Sequence, residues 1–249
     1  MRFGAVVMAC WFGLPCHGGQ VFEMPTDTAA AAFVDSNIRA TFYHELGHAL
    51  IDVLQLPVLG REEDAADTLS SLLIDAIWDE DAATAIIYDT ANAYLLFDAE
   101  TNREDMSYAD THGLDLQRYY NLVCLFYGAN PDVRDDIATE LELPQDRAEG
   151  CAEEFDLAFA SWGSLLEGLE PTKETKGLRL VRADPNDPVA TILAEEITDL
   201  NKTYGLPTEI TVAVAPCGEA NAFYDPQDKS ITICTEYAPD LARLWESGK

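Results

Sequence analysis

His44 and His48 stand four residues apart in the stretch His44-Glu45-Leu46-Gly47-His48. In a helix that spacing puts both imidazoles on one face, one turn apart, where they can share a metal ion. Glu45 lies about a hundred degrees round the helix from His44, so its carboxylate faces the open side of such an ion rather than the ion itself. There it can take a proton from bound water, whose pKa a zinc ion lowers to about 7, and pass that proton to a leaving amine. This is the chemistry of peptide-bond hydrolysis. Gly47, lacking a side chain, suits a helix whose flank lies close to another backbone or to a substrate.

A hydrolytic zinc site needs a third protein ligand. After Leu56-Pro57 and Leu59-Gly60 interrupt the first helix, a second helical pattern opens at Arg61-Glu62-Glu63-Asp64, with Glu63 and Asp67 again four apart. Ala65 and Ala66 keep the neighbouring surface small enough for close helix packing. Glu63 is the expected third ligand, with Asp64, Asp67 and His112 as alternatives. Asp67 is expected to accept the second ring N–H of a zinc histidine and so fix its tautomer, with Asp52, one turn past His48, as another candidate for that task. The two-histidine pattern alone is short, and an acidic pair is cheap in a chain with 45 Asp and Glu. Their occurrence in order, across a short turn and in an apolar helical setting, carries the argument.

The run from Tyr43 to Asp67 resembles the gluzincin pattern, in which a Glu-x-x-x-Asp helix follows the HExxH helix. With the later stretch from His112 to Gly128, it is similar to a gluzincin-like metallopeptidase family of unknown function, the likeness covering residues 25 to 165. That resemblance implies zinc on His44, His48 and Glu63, with Glu45 catalytic.

His112 is the only histidine beyond residue 17 that lies outside the motif. It precedes a helical pattern carrying Asp115, Arg118 and Tyr119. Two roles are open: a hydrogen-bond donor to the oxyanion of the reaction, or a helix-start histidine bonded to backbone. Arg118 is expected to pair with one of the many acids. Far downstream, Asn221-Ala222-Phe223-Tyr224 resembles the Asn-Ala-aromatic-Tyr stretch of neprilysin-like zinc peptidases. By that analogy Asn221 and Ala222 would hydrogen-bond an extended peptide at a sheet edge. The order differs, since here the stretch follows the HExxH segment, and an ordinary hairpin connection is the competing reading.

The positioning elements read as follows. Helices are expected over 25–56, with Thr26-Asp27 as cap, over 61–78, over 81–97, and from about His112 to Asn130, with more between 132 and 168 broken at Leu143-Pro144. Gly168 to Gly177 reads as a linker. Beyond it come a strand at 178–182, a helix from Asp187-Pro188 to Tyr204, and strands at 209–215 and 230–235. The fold expected is α+β: a mainly helical zincin-like core (19–168) with a small antiparallel sheet contributed by the C-terminal part (169–249), packed on that core.

Residues 1–18 read as a signal peptide, with Arg2 ahead of a short apolar run and small residues near Cys16-His17-Gly18. A lipoprotein signal and a buried N-terminal strand are the competing readings. Four cysteines remain beyond it: Cys124, Cys151, Cys217 and Cys234. An even number in an exported chain suggests two disulfides, and pairing 124 with 151 and 217 with 234 closes the shortest loops. The formal charge of −30 repels nucleic acid and anionic membranes, and no second long apolar segment suggests a membrane span. The expected protein is therefore an exported, periplasmic or extracellular zinc metallopeptidase acting on a peptide or protein substrate. The alternatives are a secreted non-catalytic binding or inhibitory module that retains a structural metal site, and a zinc amidase acting on a non-peptide amide.

Overall fold

The alanine-rich run from Thr28 to Leu54 contains one glycine and no proline, and it forms a single long helix, α1. Asp27 caps it, its side chain accepting the Ala29 N–H at 2.9 Å and the Ala30 N–H at 3.3 Å. Gln55 ends it in the left-handed conformation (φ 53°), two residues ahead of Pro57. The helix is apolar around most of its circumference, with Phe33, Val34, Ile38, Phe42, Tyr43, Leu46 and Leu50 all buried. Such a helix belongs at the centre of a fold. In this computed structural model, which describes residues 21–104 and 106–249, helices of the following segment and elements of the C-terminal part both pack on it. The expected signal segment, with Cys10 and Cys16, lies outside the described residues.

Helices α2 (Glu62–Ile77), α3 (Glu80–Glu100), α4 (Asp115–Ala129), α5 (Asp135–Glu140) and α6 (Gln145–Glu167) follow. The α1–α2 crossing is tight. A Cβ added at Gly47 would stand 2.8 Å from the Ala66 Cα and 3.1 Å from its Cβ. Both small residues are therefore needed for the two helices to meet at the level of His48 and Glu63. Gly47→Ala gains up to about 1 kcal/mol of helix propensity but overpacks by about 1–3 kcal/mol. We expect a lower urea midpoint together with metal affinity about tenfold weaker, measured on the same preparation. Unchanged affinity in a folded Gly47→Ala protein would show that the crossing does not set the site.

Both expected disulfides are present, Cys124–Cys151 joining α4 to α6 and Cys217–Cys234 within the C-terminal part. Beside the first, Gly128 faces the Cys151 carbonyl so closely that a Cβ would lie 2.2 Å from its oxygen.

The C-terminal part runs β1 (Leu178–Leu180), α7 (Pro188–Thr203), β2 (Ile210–Ala215), β3 (Ala222–Asp225), β4 (Ser230–Cys234) and α8 (Tyr237–Ser247). The sheet order is β1-β2-β4-β3, with β1–β2 and β2–β4 parallel and β3–β4 antiparallel. The expected antiparallel sheet is thus corrected to a mixed one. Helix α7 is a crossover that returns β2 parallel to β1, and the 226–229 turn folds β4 into the space between β2 and β3. Asn221 to Tyr224, expected between strands, supplies most of the edge strand β3 itself.

This part packs directly on α1. Arg39 and the Tyr43 hydroxyl both bond the buried Glu196 of α7, and Thr41 Oγ1 lies 2.9 Å from the Tyr237 hydroxyl. One apolar core runs through both parts, from Phe42 and Leu73 to Leu193 and Ile231.

Candidate metal centre

The middle of α1 and the first turns of α2 bring three ligand atoms together. His44 Nε2 is 3.2 Å from His48 Nε2, and Glu63 Oε2 is 3.2 Å from the first and 3.1 Å from the second. Two ligands bound at 2.0–2.1 Å in a tetrahedron lie about 3.3 Å apart, so this triangle has nearly the edge length a zinc ion requires. Among the described residues one other set of possible ligands exists, Cys217, Cys234 and Glu236, but its two sulfurs are bonded to each other.

The outer ring nitrogens are already engaged. His44 Nδ1 lies 2.7 Å from Asp67 Oδ1, and His48 Nδ1 lies 2.8 Å from Glu62 Oε1. Carboxylates only accept, so each Nδ1 carries a proton and each neutral ring presents its Nε2 lone pair inward. Two lone pairs and a carboxylate oxygen then converge, an arrangement that is repulsive unless a cation or extra protons sit among them. The donor set fits a divalent metal of the zinc type.

Without a metal, protons meet the demand. Burial works against the His44 imidazolium, but the bonds to Asp67 and Glu63 override it and hold the pKa up at about 9. Burial would raise the Glu63 carboxyl, yet bonds from His112, His44 and His48 keep it far below the usual range. A folded-state His44 pKa above its ordinary 6.5 means stability that is fully present below pH 6.5 and lost as the pH rises through about 9. Chelator-treated protein should lose urea stability across that window. Metal-loaded protein, whose ion displaces the same protons, should not. The same slope in both would remove the cluster as its source.

Asp67 is held in turn by Arg118, whose Nε and Nη2 donate to its two carboxylate oxygens at 2.8 and 2.7 Å. The guanidinium stacks 4.7 Å above the Tyr94 ring. Arg118, Asp67 and His44 thus form one connected line from α4 through α2 to α1. Asp52 has other work, accepting from the Tyr224 hydroxyl at 2.6 Å and Lys229 Nζ at 2.5 Å; it is Glu62 that serves His48. Asp64 pairs with Arg61 at 3.0 Å, away from the triangle.

Glu45 is buried beside the cluster, and its Oε2 has no hydrogen-bond partner. Burial raises its pKa, against the pull of His44 and His48. An orphaned, buried carboxylate oxygen is costly and marks a place where a water or substrate group belongs.

His112 sits in the segment between α3 and α4, its own N–H bonded to Asp110 Oδ1 at 3.0 Å. Its Nε2 reaches Glu63 Oε2 at 2.8 Å and its ring stacks on His44, with centroids 5.9 Å apart. It falls outside the mutually close set of three ligand atoms.

The three ligand residues, Glu45, Glu62, Asp67, His112 and Arg118 line one cavity of about 1170 Å³, which also takes in Asn221 to Tyr224 of the β3 edge and Tyr237 at the start of α8. The Asn221 O accepts from the Cys234 N–H at 3.0 Å, so alternation along the ladder leaves the backbone groups of Ala222 and Tyr224 on the free edge of β3. The Asn221 side chain turns back on its own strand, its Oδ1 accepting the Ala222 N–H at 2.9 Å. Glu62, Tyr94 and Tyr237 escaped the sequence reading. Glu62 had a signal, since it lies one residue from Glu63; the tyrosines had none, because α3 and α8 meet the site only through the tertiary fold.

A family model described as "Putative metallopeptidase" matches residues 20–166 and 188–249. No curated protein and no solved structure matches the chain.

Proposed function

The chain belongs to that metallopeptidase family, and on this premise we propose that it is an exported zinc-dependent peptidase in which Glu45 activates the attacking water. The observation that carries the reading is the pairing of a three-ligand triangle of tetrahedral edge length with an unpartnered Glu45 oxygen beside it. A zinc ion held by His44, His48 and Glu63 would supply the Lewis acidity that acidifies a water and polarises the substrate carbonyl.

Each remaining step belongs to the chain's own residues. Glu45 accepts the proton of the attacking water on Oε2 and returns it to the amine that leaves; its burial raises the pKa and so makes it the stronger base. Asp67, fixed by Arg118, and Glu62 hold the two rings in the tautomer that points Nε2 inward. His112, whose Nε2 lies 2.8 Å from Glu63 Oε2 at the cluster's edge, would donate to the oxyanion as the carbonyl becomes tetrahedral. An extended substrate would add to the free edge of β3, pairing with the C=O of Ala222 and the N–H of Tyr224, while Asn221 closes the Ala222 N–H and shapes the end of that edge. The two disulfides suit an oxidising compartment, in keeping with export to the periplasm or beyond the cell. Among the described residues, no helix is long and apolar enough to cross a membrane.

The test is elemental analysis of purified protein alongside cleavage of a mixed-peptide substrate. One zinc per chain and chelator-sensitive cleavage are expected. Bound zinc without cleavage would favour the non-catalytic module or an amide other than a peptide bond.

A further inference from the structure

The free edge of β3 can align a substrate only if something fixes its distance from the metal cluster. The sheet holds β3 from one side, through β4, and no strand lies beyond it among the described residues. Its polar connection to the metal-binding helix is one carboxylate. Among the described residues, both hydrogen bonds that join α1 to the β3–β4 hairpin end on Asp52 Oδ2, the Tyr224 hydroxyl donating at 2.6 Å and Lys229 Nζ at 2.5 Å.

Asp52 stands where such an anchor has most effect. His44, His48 and Asp52 are spaced i, i+4, i+8, so one face of α1 carries the two imidazoles and then, one turn on, the anchor. That turn is about 6 Å of rigid helix, the rise of about two residues of extended chain. Asp52 also lines the same cavity as the cluster, together with Asn221 to Tyr224 and Pro226.

The two donors grip the hairpin at different points. Tyr224 is in the strand itself: its backbone N–H and C=O lie on the free edge while its ring reaches across to α1. Lys229 closes the 226–229 turn in the left-handed conformation, φ 51°, which a residue with a side chain adopts at a cost. It is held there from two sides, by Nζ on Asp52 and by its carbonyl, which accepts the Thr211 N–H of β2 at 3.0 Å. The entry to β3 is fixed separately. The Cys217–Cys234 disulfide ties it to β4, and Glu236 accepts the Cys217 and Gly218 N–H groups at 3.1 and 2.8 Å. With the entry fixed in this way, Asp52 ties the exit to the metal-binding helix.

We propose that Asp52 is a positioning residue: by tying Tyr224 and Lys229 to the turn of α1 that follows His48, it sets the spacing between the metal cluster and the strand edge on which an extended peptide would lie. The inference rests on the peptidase reading. It gives Asp52 no contact with metal or substrate, since the carboxylate acts on the edge through Tyr224 and Lys229.

The test has two arms, each run on wild type, Asp52→Ala, Tyr224→Phe and the double variant. Amide hydrogen exchange on the metal-free protein reads the anchor without turnover. The Phe223 and Asp225 N–H groups, which alternation pairs with β4, should exchange at least tenfold faster in Asp52→Ala, with the α1 amides from Leu46 to Leu50 unchanged. Zinc-loaded protein is then given peptides lengthened in turn on each side of the bond that is cut. For wild type, kcat/KM should rise at least tenfold with length on one side. Asp52→Ala should lose most of that gain through KM, at wild-type zinc affinity. Tyr224→Phe should lose part of it, and should cost nothing more once Asp52 is alanine, the mark of two groups acting as one. A purely structural Asp52 would lower stability and activity alike at every peptide length. That result overturns the proposal, as does a length gain that Asp52→Ala leaves intact, or β3 exchange at the wild-type rate. Wild type that cuts no peptide sinks the peptidase reading and this role together, whereas each of the other failures sinks the role alone.

Discussion

Glu45→Gln will keep a full complement of metal and lose peptide hydrolysis by about a thousandfold, the scale of a positioned general base. The substitution preserves shape and removes only the ability to accept and return a proton. It touches no ligand atom, because the triangle is built from His44, His48 and Glu63 while the Glu45 Oε2 stands apart without a partner. A second consequence separates a chemical role from a structural one. A buried carboxylate with an orphaned oxygen costs stability, so the glutamine variant should melt no lower than wild type and is expected to melt higher. The measurement is kcat/KM on any peptide wild type cleaves, with metal content and thermal midpoint from the same preparation. Loss of metal together with activity would move Glu45 into the ligand set, and retained activity would hand the base role to another group.

Glu63→Ala should weaken zinc binding by about 3 kcal/mol, two orders of magnitude or more, since a bound zinc ion owes roughly that much to each protein ligand. Three histidines also lose their shared anionic partner, for His44, His48 and His112 all bond the same carboxylate oxygen in the metal-free fold. The His44 pKa should therefore drop from about 9 in this variant, which NMR titration of metal-free protein would read directly. Zinc that persists at wild-type affinity would place the third ligand elsewhere, with His112 first in line. Competition against a chelator of known affinity gives the number.

How much of this was written in the sequence depends on distance along the chain. That His44 and His48 would stand together with Glu45 beside them could be read from spacing, because a helix turns four residues into one stack and little else is needed. Glu63 and Asp67 obey the same rule on the next helix, and the short Leu56 to Gly60 turn left α2 few places to go except back across α1. The tight crossing at Gly47 and Ala66 was likewise visible as two small residues in the right places. Disulfide pairing followed from loop length. The helical boundaries fell close to their observed positions, since Asp27, Pro57, Pro131, Pro144 and Asp187 mark them with local chemistry.

What the sequence left open is what distant segments do to one another. It determined which candidate ligands share a helix face, because ligand spacing is a local property of a helix. The tertiary structure alone decided that Glu62 rather than Asp52 holds His48, since the choice turns on Tyr224 and Lys229 arriving from a sheet some 170 residues downstream to claim Asp52. It decided too that the sheet is mixed and that β3 lies at its edge against the cavity, because strand order is set by crossover packing and not by any strand's own composition. And it alone brought Tyr94 and Tyr237 into the lining of the cavity that Glu45 shares. Burial, a shared wall and an unsatisfied oxygen are relations between elements, and no single stretch of chain contains them.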